Sequence, residues 1–458
     1  MKITELHQLG IPKGDAILRA IDLLRSPKNH SARFAEVAQN PETFVHDKVF
    51  GPLAAAIIDA SGEAYIPRDE PAPWKQWGKD LDENAVQQMR NACDLPVAVA
   101  GALMPDAHLG YGLPIGGVLA TENCVIPYAV GVDIACRMKM TVLDLPLNWL
   151  DENRDKLKSQ LSRDTKFGIG AKFSEPHQHE VMDADWSVSP ITQRFKDKAW
   201  SQLGSSGSGN HFVEFGVLKI AQAQPEFDIE AGEYLALLSH SGSRGTGANV
   251  AAHYSKVAQA QHADLPRELM HLSWLDLDSQ AGAEYWAAMN LMGEYAAANH
   301  CCIHRSLAKS LGAEVLLDIE NHHNFAWKET HFGKEVIVHR KGATPAGEGV
   351  LGIIPGSMAT PAYVVRGKGN AISLNSAAHG AGRVMSRTKA KKVFDWPTEK
   401  KRIEDAGVTL LSAGLDEVPG VYKDIHTVMA AQQDLVEPLA QFDPKIVKMA
   451  KAGERPED

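Results

Sequence analysis

A chain of 458 residues with 57 acidic and 47 basic side chains has a formal net charge of -10, which argues against a uniformly basic nucleic-acid-binding surface but leaves room for local basic patches. Its length allows one large core or two to three domains, and no apolar run is long enough to span a membrane. The start, Met1-Lys-Ile-Thr-Glu-Leu-His7, lacks the apolar core of a signal peptide, so a cytoplasmic protein that does not engage a membrane is expected.

The cysteines, at 93, 124, 136, 301 and 302, form no Cys-x-x-Cys pair and suit a reducing compartment. Residues 1–60 read as helical, with Ile17, Leu18, Ile21 and Leu24 at helical spacing after Pro12. A Pro- and charge-rich stretch over 62–82 suggests an extended connection, and a short helix over 84–92 leads to the first dense motif. That motif, Met104-Pro-Asp106-Ala-His108-Leu-Gly110-Tyr-Gly112, reads as a loop or strand entry, followed by strand pieces at 118–121 and 124–126.

Next stands Val130-Gly-Val-Asp133-Ile-Ala-Cys136-Arg137, where an Asp and a Cys three apart can face one ion if the backbone turns between them. His177 and His179 lie on a polar loop. A Gly/Ser-rich run over 204–209 opens onto Asn210, His211 and Glu214, with Phe212, Val213 and Phe215 marking a buried strand. A strand over 234–238 delivers Ser239-His240-Ser-Gly242-Ser-Arg244, and the Ala-rich 283–311 is a core helix whose Cys301-Cys302 pair serves packing.

A strand over 313–319 reaches Glu320-Asn321-His322-His323-Asn324. Beyond it come Val338-His-Arg-Lys341-Gly342, Pro355-Gly-Ser357-Met358 and Ser376-Ala-Ala-His379-Gly380-Ala381-Gly382-Arg383. Arg387 heads a basic stretch, Tyr422 opens a helix signal, and the last six residues are expected to fray. No repeat of fixed period is present.

Repeatedly, then, an apolar run ends in a Gly-rich loop carrying His, Asp, Cys or Arg. If those ends converge, Asp133, Cys136, His211, His240 and His323 supply the oxygen, sulfur and nitrogen set expected around Mn²⁺ or Zn²⁺, with the thiolate able to bridge two ions. His379, among glycines that can aim N–H groups at an anion and beside an arginine, is then a nucleophile next to a phosphate.

These strings, MPDAHLGYG, GVDIAC, GSGNHFVE, HSGSRG, HHN, HRKGAT, PGSM and HGAGRVMSR in this order, make the chain similar to the RtcB family of RNA-splicing ligases from about residue 80 to 435. The resemblance implies an α+β fold: one large catalytic domain over 81–458, its strands converging on one metal and nucleotide site, behind a helical N-terminal extension and linker over 1–80. It implies ligation of RNA 3′-phosphate or 2′,3′-cyclic phosphate ends to 5′-hydroxyl ends with GTP and two Mn²⁺ ions, in tRNA splicing or RNA repair, through a guanylylated His379. An archease-like activating protein is an implied partner.

On the same ground Asp133, Cys136, His211, His240 and His323 are metal ligands, and Asn210, Glu214, His323, Asn324, Ser357, His379, Gly380, Ala381, Gly382 and Tyr422 contact the nucleotide. Arg244, Lys341, Arg383 and Arg387 hold phosphate or RNA, and Asp106 and His108 are acid/base or RNA-contact candidates. Three departures stand out: Ala362 where many members have serine, Arg137 where many have glycine, and a tail in which Lys448 or Lys451 would have to replace a terminal lysine. They keep a metal-dependent RNA-end phosphoesterase without ligation in view as the alternative.

Overall fold

Apolar runs bounded by tight turns fold as seventeen strands among the described residues, which in this computed structural model are 3–12, 15–26, 28, 30–60 and 67–454. The first are β1 (Trp74–Gln76), β2 (Ala98–His108), β3 (Ile115–Thr121), β4 (Cys124–Val125), β5 (Arg137–Leu143), β6 (Phe212–Ile220) and β7 (Gly232–Ser241). After them come β8 (Leu275–Asp276), β9 (Val315–His322), β10 (Asn324–His331), β11 (Lys334–Lys341) and β12 (Ala343–Pro345). The last are β13 (Leu351–Ile354), β14 (Ala362–Gly367), β15 (Ser376–Ala378), β16 (Thr409–Ser412) and β17 (Val436–Met449).

Two sheets organise this mixed α/β chain. One runs β1-β2-β3-β11-β10; the larger runs β13-β14-β17-β6-β7-β5-β9, with β16 added on β17. In the larger sheet β5 pairs antiparallel with both β7 and β9, and β6 pairs antiparallel with β7. The starts of β5 and β6 therefore lie against the ends of β7 and β9. Loops at that edge, far apart in sequence, are brought together by hydrogen-bond register alone.

The Ala-rich segment is a 32-residue helix, Gln280–Leu311. The Ser279 side chain caps its start by accepting from the Gly282 N–H, and Gly312 ends it at φ +71, a left-handed conformation in which glycine has no Cβ penalty. Tyr285, Met289, Met292, Tyr295 and Cys302 bury the helix in one apolar core with Trp186 and Tyr254. No helix among the described residues is long and apolar enough to cross a membrane.

Upstream, the helices Ile3–Gln8, Asp15–Arg25, Phe34–Gln39 and Gly51–Ala60 share a separate core of Leu6, Ile17, Phe34, Phe50 and Leu53. Of the expected connection, 62–66 lie outside the described residues, and Trp74–Gln76 form β1, an edge strand parallel to β2. A three-residue strand is too short to show alternation. The expected fraying beyond 454 also lies outside the described residues.

One strand had no counterpart among the expected elements. β17, 14 residues long, sits inside the larger sheet between β14 and β6, although it contains Pro438 and Pro444. Proline cannot donate to a ladder and is confined within sheets to edges and bulges. Both prolines sit at register shifts, one opposite Val364/Val365 and one between Pro444 and Ile446.

Buried histidines tie the sheets to their surroundings in a fixed protonation state. The Ile126 N–H donates to His339 Nε2 at 2.9 Å, while His339 Nδ1 lies 3.1 Å from the Leu119 carbonyl, which only a neutral ring with its proton on Nδ1 satisfies. Burial pushes His339 down to about 4 and holds His300 and His304 well below the usual imidazole range. The unfolded chain binds these protons below about pH 6.5 and the native state does not, so their stabilisation is complete above that pH and is lost as the pH falls. The melting temperature should accordingly drop steadily from about pH 6.5 towards 4; a flat profile by calorimetry over that window would contradict the neutral assignment.

Candidate active site and metal centre

Between Asp133 and Cys136 the chain makes a tight turn in which Ala135 adopts φ +58, its N–H donates to the Asn324 carbonyl at 2.7 Å, and the Cys136 N–H reaches the Asp133 carbonyl at 3.2 Å. Asp133 and Cys136 thus face the same space. The register of β5, with Met138 opposite His240 and Arg137 opposite His322, brings in the ends of β7 and β9. Phe212 opposite His240 brings in His211.

Cys136 Sγ lies 3.1 Å from His240 Nε2 and 3.4 Å from His211 Nε2. His240 Nε2 lies 3.1 Å from His323 Nε2, and Asp133 Oδ2 lies 3.1 Å from His211 Nε2. All five side chains are buried. His240 Nδ1 is 3.1 Å from the Asn210 carbonyl, so its proton is on Nδ1 and the Nε2 lone pair faces the cluster. Burial, reinforced by the neighbouring His211, pushes His240 down to about 3. Burial opposes ionisation of Asp133, but His211, Cys136 and Arg244 outweigh it and hold its carboxyl below the usual range.

These residues fit a bound cation. Asp133 Oδ2, which faces the cluster, is buried without a hydrogen-bond partner of good geometry, which is costly for a polar atom that nothing else satisfies. Cys136, His211 and His240 present donor atoms all within 4.8 Å of one another. One carboxylate, one thiol and neutral imidazoles form the mixed set that borderline divalent metals take.

The cluster opens into a cavity of about 860 Å³ lined by Asp133, Cys136, His240, His323 and His379. His379 follows β15, its ring centroid 5.0 Å from that of His323. Its Nδ1 lies 2.7 Å from Asp106 Oδ2, and the same oxygen accepts from the His379 and Gly380 N–H groups at 3.2 and 3.3 Å. A carboxylate accepts only, so the ring proton sits on Nδ1 and Nε2 keeps its lone pair. Gly382, at φ +71, lets this loop close: a Cβ there would lie 2.0 Å from the Asp106 carbonyl.

Asn210, Glu214, Asn324, Ser357, Gly380, Ala381, Gly382 and Tyr422 line the same cavity, as do His108, Lys341, Arg383 and Arg387. Burial holds the Glu214 carboxyl well above the usual range and pushes the Lys341 ammonium down to about 7 and the His108 ring to about 4. Arg383, Arg387 and the Tyr422 hydroxyl all meet Glu417, a buried residue that no sequence motif singled out. Its signal is absent because a lone Glu in a polar turn has no pattern.

Other expected residues stand apart. Arg244 is buried away from the cavity wall and donates to Ser205 Oγ at 3.1 Å and to the Gly168 carbonyl at 2.9 Å, bracing the Gly/Ser-rich loop. His177 packs on Phe173, and His179 caps a short turn by accepting from the Val181 N–H. Lys448 Nζ donates to Leu161 O and to Thr165 Oγ1, both at 3.0 Å, so that lysine is occupied structurally. Ala362 is buried at the cavity and Arg137 lies 3.0 Å from His322 Nδ1.

Gly242 has no room for a side chain, since a Cβ would lie 2.2 Å from both Asp133 carboxylate oxygens. The Gly242→Ala substitution should displace that carboxylate and weaken divalent-metal binding at least tenfold, a cost of about 1.4 kcal/mol; unchanged affinity by calorimetric titration would remove Asp133 from the ligand set. Cys136 must lose its proton to ligate, so Mn²⁺ affinity should fall as pH falls from 8 to 6, by roughly tenfold per unit below the thiol pKa. A pH-independent titration would exclude the thiolate.

Comparison with known proteins places this geometry. A family model described as tRNA-splicing ligase RtcB matches residues 88–189 and 177–450, and so continues through β17, past residue 435 where the resemblance was expected to end. The RNA-splicing ligase RtcB of Escherichia coli is 35% identical over 400 residues, covering 80% of this chain and 95% of that protein. The tRNA-splicing ligase RtcB of Nanoarchaeum equitans is 31% identical over 454 residues, covering 82% and 94%. The chain belongs to the RtcB family of tRNA-splicing ligases.

Proposed function

We propose that this chain ligates RNA, joining a 3′-phosphate or 2′,3′-cyclic phosphate end to a 5′-hydroxyl end with GTP and Mn²⁺. Beyond the names of its relatives, the observation that carries the reading is the 2.7 Å contact between Asp106 and His379 Nδ1 beside the Cys136, His211 and His240 cluster. It fixes a proton on His379 Nδ1, so that Nε2 is the ring atom that would act as nucleophile.

In this reading His379 Nε2 attacks the α-phosphorus of GTP. An N–P bond forms, the bond to the bridging oxygen breaks, and pyrophosphate leaves. As the ring gains positive charge, the buried Asp106 carboxylate offsets it. An oxygen of the RNA 3′-phosphate then attacks that phosphorus and the N–P bond breaks, leaving guanylate on the RNA end. The 5′-hydroxyl oxygen attacks the RNA phosphorus, loses its proton, and GMP departs. A 2′,3′-cyclic phosphate is hydrolysed to the 3′-phosphate first.

Two Mn²⁺ ions held by Asp133, Cys136, His211, His240 and His323 would offset repulsion between the anionic phosphates. Asn210, Glu214, Asn324, Ser357, Tyr422 and the Gly380–Gly382 backbone suit the guanylate; a protonated Glu214 would donate to the base. Lys341, Arg383 and Arg387 suit phosphates. One observation favours the phosphoesterase alternative: Lys448, one of the two tail lysines that would have to replace the terminal lysine, is committed to Leu161 and Thr165.

With Mn²⁺ and GTP labelled on the α-phosphate, the denatured protein should carry acid-labile label. His379→Ala should abolish it while metal still binds, and no label on metal-loaded wild type would leave the phosphoesterase. Asp106→Asn keeps an amide oxygen where the His379 and Gly380 N–H groups require an acceptor but removes the negative charge beside the ring, so it should slow labelling by roughly 10²-fold or more. Labelling at the wild-type rate would show that the carboxylate charge does not matter.

A further inference from the structure

The loop after β2 presents an unusual surface at the mouth of the cavity. Leu109 and Tyr111 both line it, yet their side chains are 54% and 67% exposed. Exposed apolar groups on a mobile loop would mean little. This loop is held from several sides: the Gln88 amide exchanges two hydrogen bonds with Gly110, at 2.6 and 3.0 Å. The buried Lys341 ammonium donates to the Tyr111 carbonyl. Gly112, at φ +70, packs so closely that a Cβ would lie 2.7 Å from the His271 carbonyl.

The backbone is therefore fixed while the ring is held out into solvent. Behind Tyr111 stands His271, edge-on with centroids 5.6 Å apart, and behind it Tyr128 at 4.5 Å. Both are partly exposed, so the rings form a short ladder leading away from the cavity. A flat aromatic face fixed in advance is what an unpaired base stacks on, since every base has a π-face and no hydrogen-bond readout is needed. Two exposed side chains are far too small a patch for a stable protein partner, which needs on the order of 1,200 Å² of buried surface.

We propose that Tyr111, backed by His271 and Tyr128, is a stacking platform for an unpaired nucleotide next to the reacting RNA end, so that the protein prefers frayed or single-stranded ends to blunt duplex ends. This rests on the RNA-ligase reading. Stacking at Tyr111 would add to the phosphate contacts proposed for Lys341, Arg383 and Arg387 in the same cavity.

The test is fluorescence anisotropy of the full chain with Mn²⁺, using a labelled RNA ending in an unpaired 3′-phosphorylated run and the same end made blunt by a complementary strand. Tyr111→Ala should weaken binding of the unpaired end roughly 5- to 100-fold, and Tyr111→Phe should stay within roughly twofold of wild type. The ratio should persist as salt is raised, because stacking releases no counterions. Tyr111→Ala binding the unpaired end as wild type does, or losing equal affinity for both ends, would overturn the platform. GTP labelling of wild-type His379 is read in parallel: label present with Tyr111 indifferent sinks this proposal alone. Label and RNA binding both absent in wild type sink the ligase reading and the platform with it.

Discussion

The site depends on one constraint, the register in which β5 lies between β7 and β9. Arg137 opposite both Ser241 and His322 sets Cys136 beside His240 and His323. Side chains alternate across a strand, so a slip of one residue on either side would turn a donor away from the cluster. The pairing is long, running from Arg137 to Val142 against β7 and to Leu143 against β9. Its cost is spread over whole strands rather than borne by the ligands.

His379 comes from outside both large sheets. Asp106 lies near the end of β2 and His379 follows β15, which pairs with β12 in a small ladder of its own, and their contact crosses from one chain segment to another 273 positions away. The donor cluster sits at the edge of the larger sheet, Asp106 on the five-stranded sheet and His379 beside the β12-β15 ladder, and all three meet at the cavity. The rings of His323 and His379, 5.0 Å apart, are where the cluster and the Asp106–His379 pair touch. Glu417, gathering Arg383, Arg387 and Tyr422, closes the remaining side with a buried carboxylate.

Much of this was legible in the sequence because the chemistry needs residue types that scaffolds avoid. Asp133, Cys136, His211, His240 and His323 each stand near a border between an apolar run and a polar or Gly-rich loop, and the structure does bring them together. The Asp106–His379 contact was not legible: nothing in either motif names its partner, and Asp106 read only as an acid/base or RNA candidate. Glu417 left no trace, and nothing in the sequence showed that Arg244, beside a glycine-rich turn and read as a phosphate or RNA contact, also donates to Ser205 Oγ and the Gly168 carbonyl. β17 was hidden by its own prolines, which argue against a central strand unless the bulges that accommodate them are known.

That last strand has a further consequence. β6, which follows directly on His211, pairs on one side with β7 and on the other with residues 441–449 of β17. On the ribosome the chain emerges in order, so β6 stays an open edge until residues 441–449 have been made. That pairing joins segments more than two hundred residues apart, and contacts so distant in sequence form slowly. The strand that begins beside His211 therefore gains its second neighbour last, after every donor of the cluster has already been made.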